Sequence, residues 1–250
     1  MEIFVLKSDE VAAITRGTHG NPHHILGMHQ CLNDCYVNAY LPRATAAFVL
    51  RINEETGEPI FKYPMTEIGS QGFFTVKIED SGAFAYKLIT EGEQAAEFYD
   101  PYSFGYSVDP VNVMKVVNGD DGILSDFHVK DLFGARQITL DGVQGVSFCM
   151  NMPGATRVSV VGDFNGWDGR VNPMRRIDYT DMFELFIPGD LMNTRYKFEA
   201  LYRDGNTDIF ADPYAEVYEV APGNASVLAK LEYSWSDSSY MKKRGSVSAP

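Results

Sequence analysis

Apolar and polar residues alternate along several short segments of this chain. Every second position is small or apolar in residues 35–41, and the same period of two recurs in residues 182–187 and 195–203. A period of two predicts β-strands with one buried face, because successive side chains of a strand point to opposite sides. The positions predicted to face inward are Cys35, Val37, Ala39, Leu41, Phe183, Leu185, Ile187, Tyr196, Phe198 and Ala200.

Turn and helix signals separate these segments. Asn165-Gly166 and Asp204-Gly205 lie between apolar runs and predict two hairpin turns. Helix is scarce, although Ser8 is placed to cap a short helix that ends at Gly17. Many short strands between turns favour an all-β fold of the immunoglobulin-like sandwich type.

Four landmarks recur in the same order at a nearly constant spacing of about 110 residues, which indicates two copies of one module. Each landmark is a single residue or a short motif in the first half of the chain that has a counterpart in the second half. The pairs are Pro42 with Pro153, Met65 with Met174, Tyr86-Lys87 with Tyr196-Lys197, and Asp100-Pro101-Tyr102 with Asp212-Pro213-Tyr214.

The duplication divides the chain into four parts. We expect a first β-sandwich module over residues 1–117, a connector over residues 118–134 and a second module over residues 135–233. Residues 234–250 are expected to hold a short helix, starting at Ser236 or Asp237 and running toward Lys243, and then a linker. The predicted architecture is therefore two tandem sandwiches with short flanking helices.

The charge balance excludes some partners. The chain has 250 residues and a formal net charge of −13, which argues against nucleic acid and against an anionic membrane surface. A neutral polymer or a small neutral ligand remains compatible with this charge. No apolar run approaches the length of a membrane span, and residues 1–7 lack the features of a signal peptide. Three cysteines cannot all pair, so a reduced, cytoplasmic setting is expected.

Two clusters of reactive side chains have alternative explanations. Four histidines lie near two cysteines, but their spacing fits no zinc site; they are His19, His23, His24 and His29, with Cys31 and Cys35. Four aspartates could supply a hydrolase pair, but acids are abundant here and aspartate favours turns; they are Asp163, Asp168, Asp178 and Asp181. We therefore expect no metal, no cofactor and no catalytic residue in this chain.

The segment 162–170 places Trp167, one of two tryptophans, beside a predicted turn. An indole is a good platform for a pyranose ring, whose axial C–H bonds form an apolar face. The sugar hydroxyls then need a few placed donors and acceptors. The alternative is that Trp167 plugs the end of the sandwich or packs on a neighbouring domain. Residue chemistry alone leaves both interpretations open.

At this segment the sequence resembles the second amino-terminal module of bacterial glycogen branching enzymes. The matching stretches lie at residues 142–148, 157–170, 173–175, 184–189, 196–199 and 212–215. Upstream, residues 20–29 are similar to the opening of the first module of that family, and residues 100–104 are similar to its close.

The resemblance implies two immunoglobulin-like modules of carbohydrate-binding family 48. In that family they precede a barrel of glycoside hydrolase family 13, which cuts an α-1,4 glucan and rejoins it through an α-1,6 link. A barrel needs about 250 residues of its own, so the resemblance implies the non-catalytic amino-terminal part. By the same resemblance, Trp167, Lys197 and Asn224 are candidate glucan-binding residues, and Asn165 in the same stretch joins them.

We therefore expect a region that binds and positions α-1,4-glucan (glycogen or maltodextrin) for a branching enzyme. The expected partners are this glucan and the catalytic domain of the same protein, with no nucleic acid and no membrane. The first module has Glu54, Glu55 and Gly57 where the second has its tryptophan turn, so we expect it to act as a spacer or an interface. The alternative is that both modules are structural, brace the catalytic domain and have no sugar site of their own.

Overall fold

The computed structural model describes residues 6–31, 33–69, 71–79, 82–93, 95–119 and 132–229. In this part of the chain, antiparallel strands build two successive sandwich modules, which confirms the all-β prediction. The strands of the first module are β1 (Gly27–Cys31), β2 (Asp34–Tyr40), β3 (Ala44–Ile52), β4 (Pro59–Pro64), β5 (Thr66–Ile68), β6 (Phe73–Ile78), β7 (Tyr86–Gly92) and β8 (Ala96–Tyr99). Those of the second are β9 (Gly134–Leu140), β10 (Val143–Asn151), β11 (Ala155–Gly162), β12 (Arg175–Arg176), β13 (Met182–Pro188), β14 (Arg195–Tyr202), β15 (Thr207–Phe210), β16 (Val217–Tyr218) and β17 (Ser226–Val227).

Strand order is equivalent in the two modules. The first module has sheets in the order β1-β2-β6-β5 and β4-β3-β7-β8, around a core that includes Val37, Val49 and Leu88. The second has β9-β10-β13-β12 and β11-β14-β17-β16, with β15 also paired to β14, around Phe148 and Phe198. The strand pairs β2–β6 and β3–β7 thus correspond to β10–β13 and β11–β14, as the duplication requires.

Two landmarks of the duplication form the same buried contact in each module. The hydroxyl of Tyr86 donates to Oδ2 of Asp100, and that of Tyr196 donates to Oδ2 of Asp212, each across 2.6 Å. The other oxygen of each aspartate accepts the backbone N–H two residues later, at 2.9 Å and 2.8 Å. We call this contact the Tyr–Asp lock. It ties β7 or β14 to the segment that leaves the sandwich.

The first helix, α1 (Ser8–Arg16), ends at Gly17 as predicted, with Gly17 at a φ of +68°. The predicted cap is wrong, because Lys7 occupies the N-cap position, Ser8 is already helical and no side chain caps the helix. Ile14 packs with Tyr40 of β2 and other residues in a small core. This cover explains why β2 is buried on both faces over much of its length.

A second helix, α2 (Pro110–Val117), was not predicted. Asp109 caps it by accepting the N–H of Val111 at 2.9 Å. Its fully buried Val113 packs in one cluster with Cys149 of β10 and Met182 of β13. The helix therefore covers the second module, and the predicted end of the first module at residue 117 is wrong.

The segment before α2 also lies on the second module. The rings of Phe104 and Phe186 meet edge to face with centroids 4.8 Å apart. The N–H of Ser107 donates to Oε2 of the buried Glu184 at 3.0 Å, and Arg175 pairs with the same carboxylate. The segment that leads into α2 thus packs against the second module before the helix begins.

Part of the predicted organisation falls outside the described residues. Most of the connector predicted over residues 118–134 and all of the helix and linker predicted over residues 234–250 belong there. Leu132 and Phe133, at the end of that connector, are buried in the cluster that contains α2. Neither helix in the described part of the chain has the length and apolar character needed to cross a membrane.

Candidate functional site

The turn that carries Trp167 follows directly on β11. Residues 163–165 form one turn of 3-10 helix, after which Gly166 and Trp167 both have positive φ, at +65° and +62°. A bulky residue is rarely found in this left-handed region. The backbone N–H of Trp167 donates to the carbonyl of Gly162 at 3.0 Å, which closes the turn. The main partner of β11 is β14, and the segment after the turn returns beside β11 with a single antiparallel bridge between Ser159 and Pro173. The predicted Asn165-Gly166 turn therefore leads back to β11 through one bridge and not through a continuous hairpin ladder.

Asn165 holds this turn from inside. It is 2% exposed; its Oδ1 accepts the N–H of Gly162 at 2.9 Å, and its Nδ2 donates to the carbonyl of Val160 at 2.8 Å and to Asn172 at 2.9 Å. Both the oxygen and the nitrogen of its amide are thus hydrogen-bonded within the protein. The prediction that Asn165 contacts sugar is corrected accordingly, and Asn165 is a structural residue of the turn.

Trp167 itself is 38% exposed. Its indole Nε1 donates to Oδ1 of Asp163 at 3.2 Å, which fixes one edge of the ring. Asp163 also accepts from the backbone N–H of Arg195 at 2.9 Å and from its guanidinium at 2.9 Å and 3.0 Å. These bonds from Arg195 lower the pKa of the Asp163 carboxyl, so the acceptor stays ionised at neutral pH. Trp167 is thus held at its indole nitrogen while part of the residue remains exposed.

Lys197 and Asn224 meet at the same end of the same sheet. Lys197 stands on the outward face of β14, opposite Val161 of β11, and its Nζ donates to Oδ1 of Asn224 at 2.5 Å. Asn224 lies in the exposed loop that leads into β17. The amide Nδ2 of Asn224 has no protein acceptor among the described residues, so it remains available as a donor.

A continuous run of polar contacts joins Trp167 to this lysine–asparagine pair. From Asp163 the run passes to Arg195, whose Nη1 lies 3.1 Å from Oε1 of Glu219. Oε2 of Glu219 accepts the N–H of Ala225, the residue after Asn224, at 3.0 Å. The outer-face site is defined here as Asp163, Trp167, Arg195, Lys197, Glu219 and Asn224. The structure brings together three of the four predicted residues.

Sequence reasoning missed Arg195 and Glu219 as parts of this site. Alternation along β14 could have identified Arg195, because it shares the outward face with Lys197. Glu219 has no such signal, since it lies in an irregular segment and reaches the site only through the fold. Beneath the turn, the buried Arg157 donates to the carbonyl of Gly169 at 2.7 Å and pairs with Glu199 at 2.5 Å.

The first module does not repeat this site. Its β3 and β4 are joined by a tight loop over residues 53–58, which contains no aromatic residue. Lys87, the counterpart of Lys197, pairs with Glu97 at 2.8 Å and lies 5.1 Å from the ring centroid of Tyr99. Its ammonium group is therefore already occupied.

Two residues of the histidine and aspartate clusters make contacts within the fold. The ring of His23 meets Tyr102 edge to face at 5.0 Å, and burial, with Arg175 nearby, lowers its pKa to about 2. Asp168 pairs with Arg170 at 2.7 Å. Across the described residues, no three His, Cys, Asp or Glu side chains group in a way that could hold a metal ion. The three cysteines, all of them described, form no disulfide.

Two family models match the chain, one for each module. Residues 7–102 match the alpha-1,4-glucan branching enzyme GlgB, N-terminal domain. Residues 132–215 match carbohydrate-binding module 48, the isoamylase N-terminal domain. The second match contains Trp167 and Lys197 but ends before Glu219 and Asn224.

Curated relatives match over nearly the whole chain. The chain is 35% identical to the 1,4-alpha-glucan branching enzyme GlgB of Paramagnetospirillum magneticum, covering 98% of this chain and 32% of that protein. It is 37% identical to the enzyme of the same name from Pseudomonas fluorescens, covering 94% and 31%. The chain thus spans about a third of the length of these relatives.

Among solved structures, a pullulanase from Anoxybacillus complexed with maltotetraose is 15% identical, with a TM-score of 0.34, over 82% of this chain and 26% of that one. A similarity at that level supports no conclusion here. The sequence matches show what the chain contains: it matches the GlgB N-terminal domain over residues 7–102 and carbohydrate-binding module 48 over residues 132–215, and nearly its whole length is similar to about a third of the length of 1,4-alpha-glucan branching enzymes.

Proposed function

We propose that this chain binds α-1,4-linked glucan, as glycogen or maltodextrin, at the outer-face site of its second module. The observation that carries the proposal is Trp167, which is partly exposed on a strained turn and hydrogen-bonded through its indole nitrogen. Strained backbone and an exposed aromatic ring both cost stability, and such features concentrate at functional sites. A glucose ring that packs on the indole would bury this apolar surface.

The polar residues of the site suit the rim of a sugar. Hydroxyl groups both donate and accept hydrogen bonds, so they pair with an ammonium group and with an amide. Lys197 and Asn224 offer these groups within one hydrogen-bonded pair. A neutral ligand is also compatible with the strongly acidic chain, whereas a polyanion is not.

We further propose that the chain positions glucan for a branching reaction carried out elsewhere in the protein. That reaction, cleavage of an α-1,4 link and transfer to an α-1,6 branch point, would require a catalytic domain. In the outer-face site the carboxylates of Asp163 and Glu219 both pair with Arg195. They are therefore poorly suited to act as a general acid and its partner. A cytoplasmic location remains a prediction.

A structural role is the second candidate, and one observation favours it. The segment after the first module is closely packed on the second through Phe104 and Ser107, as expected of modules that brace one another. This role and sugar binding are compatible. They differ in what they require of Trp167, which a purely structural role would use for packing in the sandwich or on a neighbouring domain and not for contact with sugar.

Titration with maltoheptaose tests the proposal. In the Trp235→Phe background, where Trp167 is the only tryptophan, saccharide should change the fluorescence of Trp167. Trp167→Ala should weaken binding by about five- to thirtyfold, measured by calorimetry, because roughly 1–2 kcal/mol of apolar contact is lost. Thermal stability should change little, since the ring is partly exposed.

The matched control is Tyr179→Ala, which removes another exposed aromatic residue of positive φ from a different turn of the same module. It should bind maltoheptaose like the wild type. Equal affinity of the wild type and the Trp167→Ala variant would overturn the sugar site and leave the structural role.

A further inference from the structure

The turn that carries Trp167 is bounded on one side by the first module. The hydroxyl of Tyr102 lies 3.1 Å from the carbonyl oxygen of Val171 and 3.2 Å from that of Pro173. The guanidinium of Arg170 lies 5.8 Å from the ring centroid of Tyr40 in β2. First-module side chains near the turn are therefore held in a defined position relative to it.

Arg43 of the first module reaches this turn. It stands just before β3, and its Nη1 is so near Gly166 that a Cβ added there would lie 2.6 Å away. The same guanidinium interacts electrostatically with Asp168. Gly166 and Asp168 are the two neighbours of Trp167 in sequence. A cationic group of one module is thus placed beside the aromatic platform of the other.

The N–H groups of the Arg43 guanidinium donate no hydrogen bond to other described residues. Its side chain is exposed, and within the described part of the chain its guanidinium takes part in no hydrogen bond or ion pair. A guanidinium presents five N–H donors in a planar fork, which suits neighbouring oxygen acceptors. Adjacent hydroxyls of a hexose offer such a pair of acceptors.

The module junction leaves space on the same side of the turn. A cavity of about 280 Å³ opens there, lined by Arg43, Tyr99, Phe164, Asn172 and Leu191 among others. Its wall is formed by residues of both modules. Arg43 and Asn165 both line it, so the cavity lies beside the turn that carries Trp167.

We propose that Arg43 belongs to the glucan site and donates hydrogen bonds to a glucose unit beyond the one packed on Trp167. The site is then formed by both modules, and the first module is more than a spacer. This inference rests on the proposed function of the outer-face site.

The test compares a long ligand with a single sugar. Arg43→Ala should weaken binding of maltoheptaose about three- to tenfold, as expected for loss of hydrogen bonds from a charged donor at an exposed site. Binding of methyl α-glucoside, followed by the shift of the Trp167 indole N–H resonance, should be unchanged, because one unit occupies only the platform. Arg203→Ala removes another exposed arginine, at the far end of β14, and should bind both ligands like the wild type.

Three other outcomes would overturn the inference, and each has a different meaning. If Arg43→Ala binds maltoheptaose normally while Trp167→Ala does not, Arg43 has no contact and the proposed function stands. An equal loss for both ligands would mean that Arg43 only holds the turn. If the wild type binds no maltoheptaose, the proposed function fails and this inference fails with it.

Discussion

Trp167 combines an unfavourable backbone with a restrained side chain. A non-glycine residue with positive φ costs on the order of 1 kcal/mol or more, and Trp167 has a φ of +62°. Bonds from its backbone N–H to Gly162 and Asn165 offset part of that cost. The bond from its indole to Asp163 then limits ring rotation. A ring fixed before the ligand arrives loses less entropy on binding.

Removal of this restraint should weaken binding without removing the platform. In Asp163→Asn the amide would bind Arg195 less well and leave the indole freer to turn, so we expect an affinity for maltoheptaose about threefold lower. Fluorescence anisotropy of Trp167 in the Trp235→Phe background should also fall. Asp181→Asn, which alters an exposed carboxylate paired with Arg176, is the control. Unchanged anisotropy would show that the Asp163 bond does not restrain the ring.

The type of a residue indicates which side chains suit a sugar, but it does not show which of them the fold uses for another purpose. Trp167 is a candidate because an indole suits a pyranose ring, whereas Lys197 and Asn224 are candidates through the family resemblance alone. Asn165 was misassigned since an amide serves equally to bind a ligand or to satisfy a turn, and only its burial decides. Arg43 could not be predicted at all, because its approach to Gly166 depends on how the two modules pack.

At the scale of elements, the Tyr–Asp lock explains why the repeat is visible in sequence. Each lock needs a tyrosine on one strand and an aspartate after the next, and a change to either leaves a buried polar group without its partner. Asp100 is 1% exposed, and this burial raises its pKa to about 6. Burial raises the pKa of Asp212 as well.

The lock in the first module should make stability depend on pH. Asp100 binds its proton more tightly in the folded chain, with a pKa of about 6, than in the unfolded chain, where it is about 3.9. Its favourable contribution is thus complete below pH 4 and is lost as pH rises through 6. Relative to Asp100→Asn, which stays neutral, the wild type should lose roughly 2–3 kcal/mol of unfolding free energy between pH 4 and pH 7.

Urea denaturation of both proteins across this range measures the effect. Subtraction of the variant cancels the titration of the other carboxylates. A difference between the two proteins that stays constant with pH would contradict the raised pKa.

Alternation predicted the strands better than it predicted their surroundings. It placed Phe183, Leu185 and Ile187 inward on β13, as observed. It could not show that the opposite face is buried as well, because the cover comes from α2 and the segment before it. Alternation describes one strand, whereas cover by a distant segment is a property of the whole chain.

At the scale of the whole molecule, the two modules should unfold together. The hydroxyl of Tyr102 shares its one hydrogen between the carbonyls of Val171 and Pro173 in the second module, and Tyr102→Phe removes this donor. We expect a loss of about 1–3 kcal/mol and a broader calorimetric transition, because the modules become less strongly coupled. Tyr106→Phe, whose side chain is 41% exposed, should unfold like the wild type. An identical sharp transition in both variants would contradict this coupling.

The segment between residues 103 and 119 belongs to neither matched range in sequence, yet Ser107 supplies a donor to the buried carboxylate of Glu184. Dissection of the protein at the edges of those ranges would strip this side chain away and uncover Phe186. A fragment that expresses the second module alone should therefore begin upstream of Phe104, so that it includes the segment that covers Phe186 and Glu184.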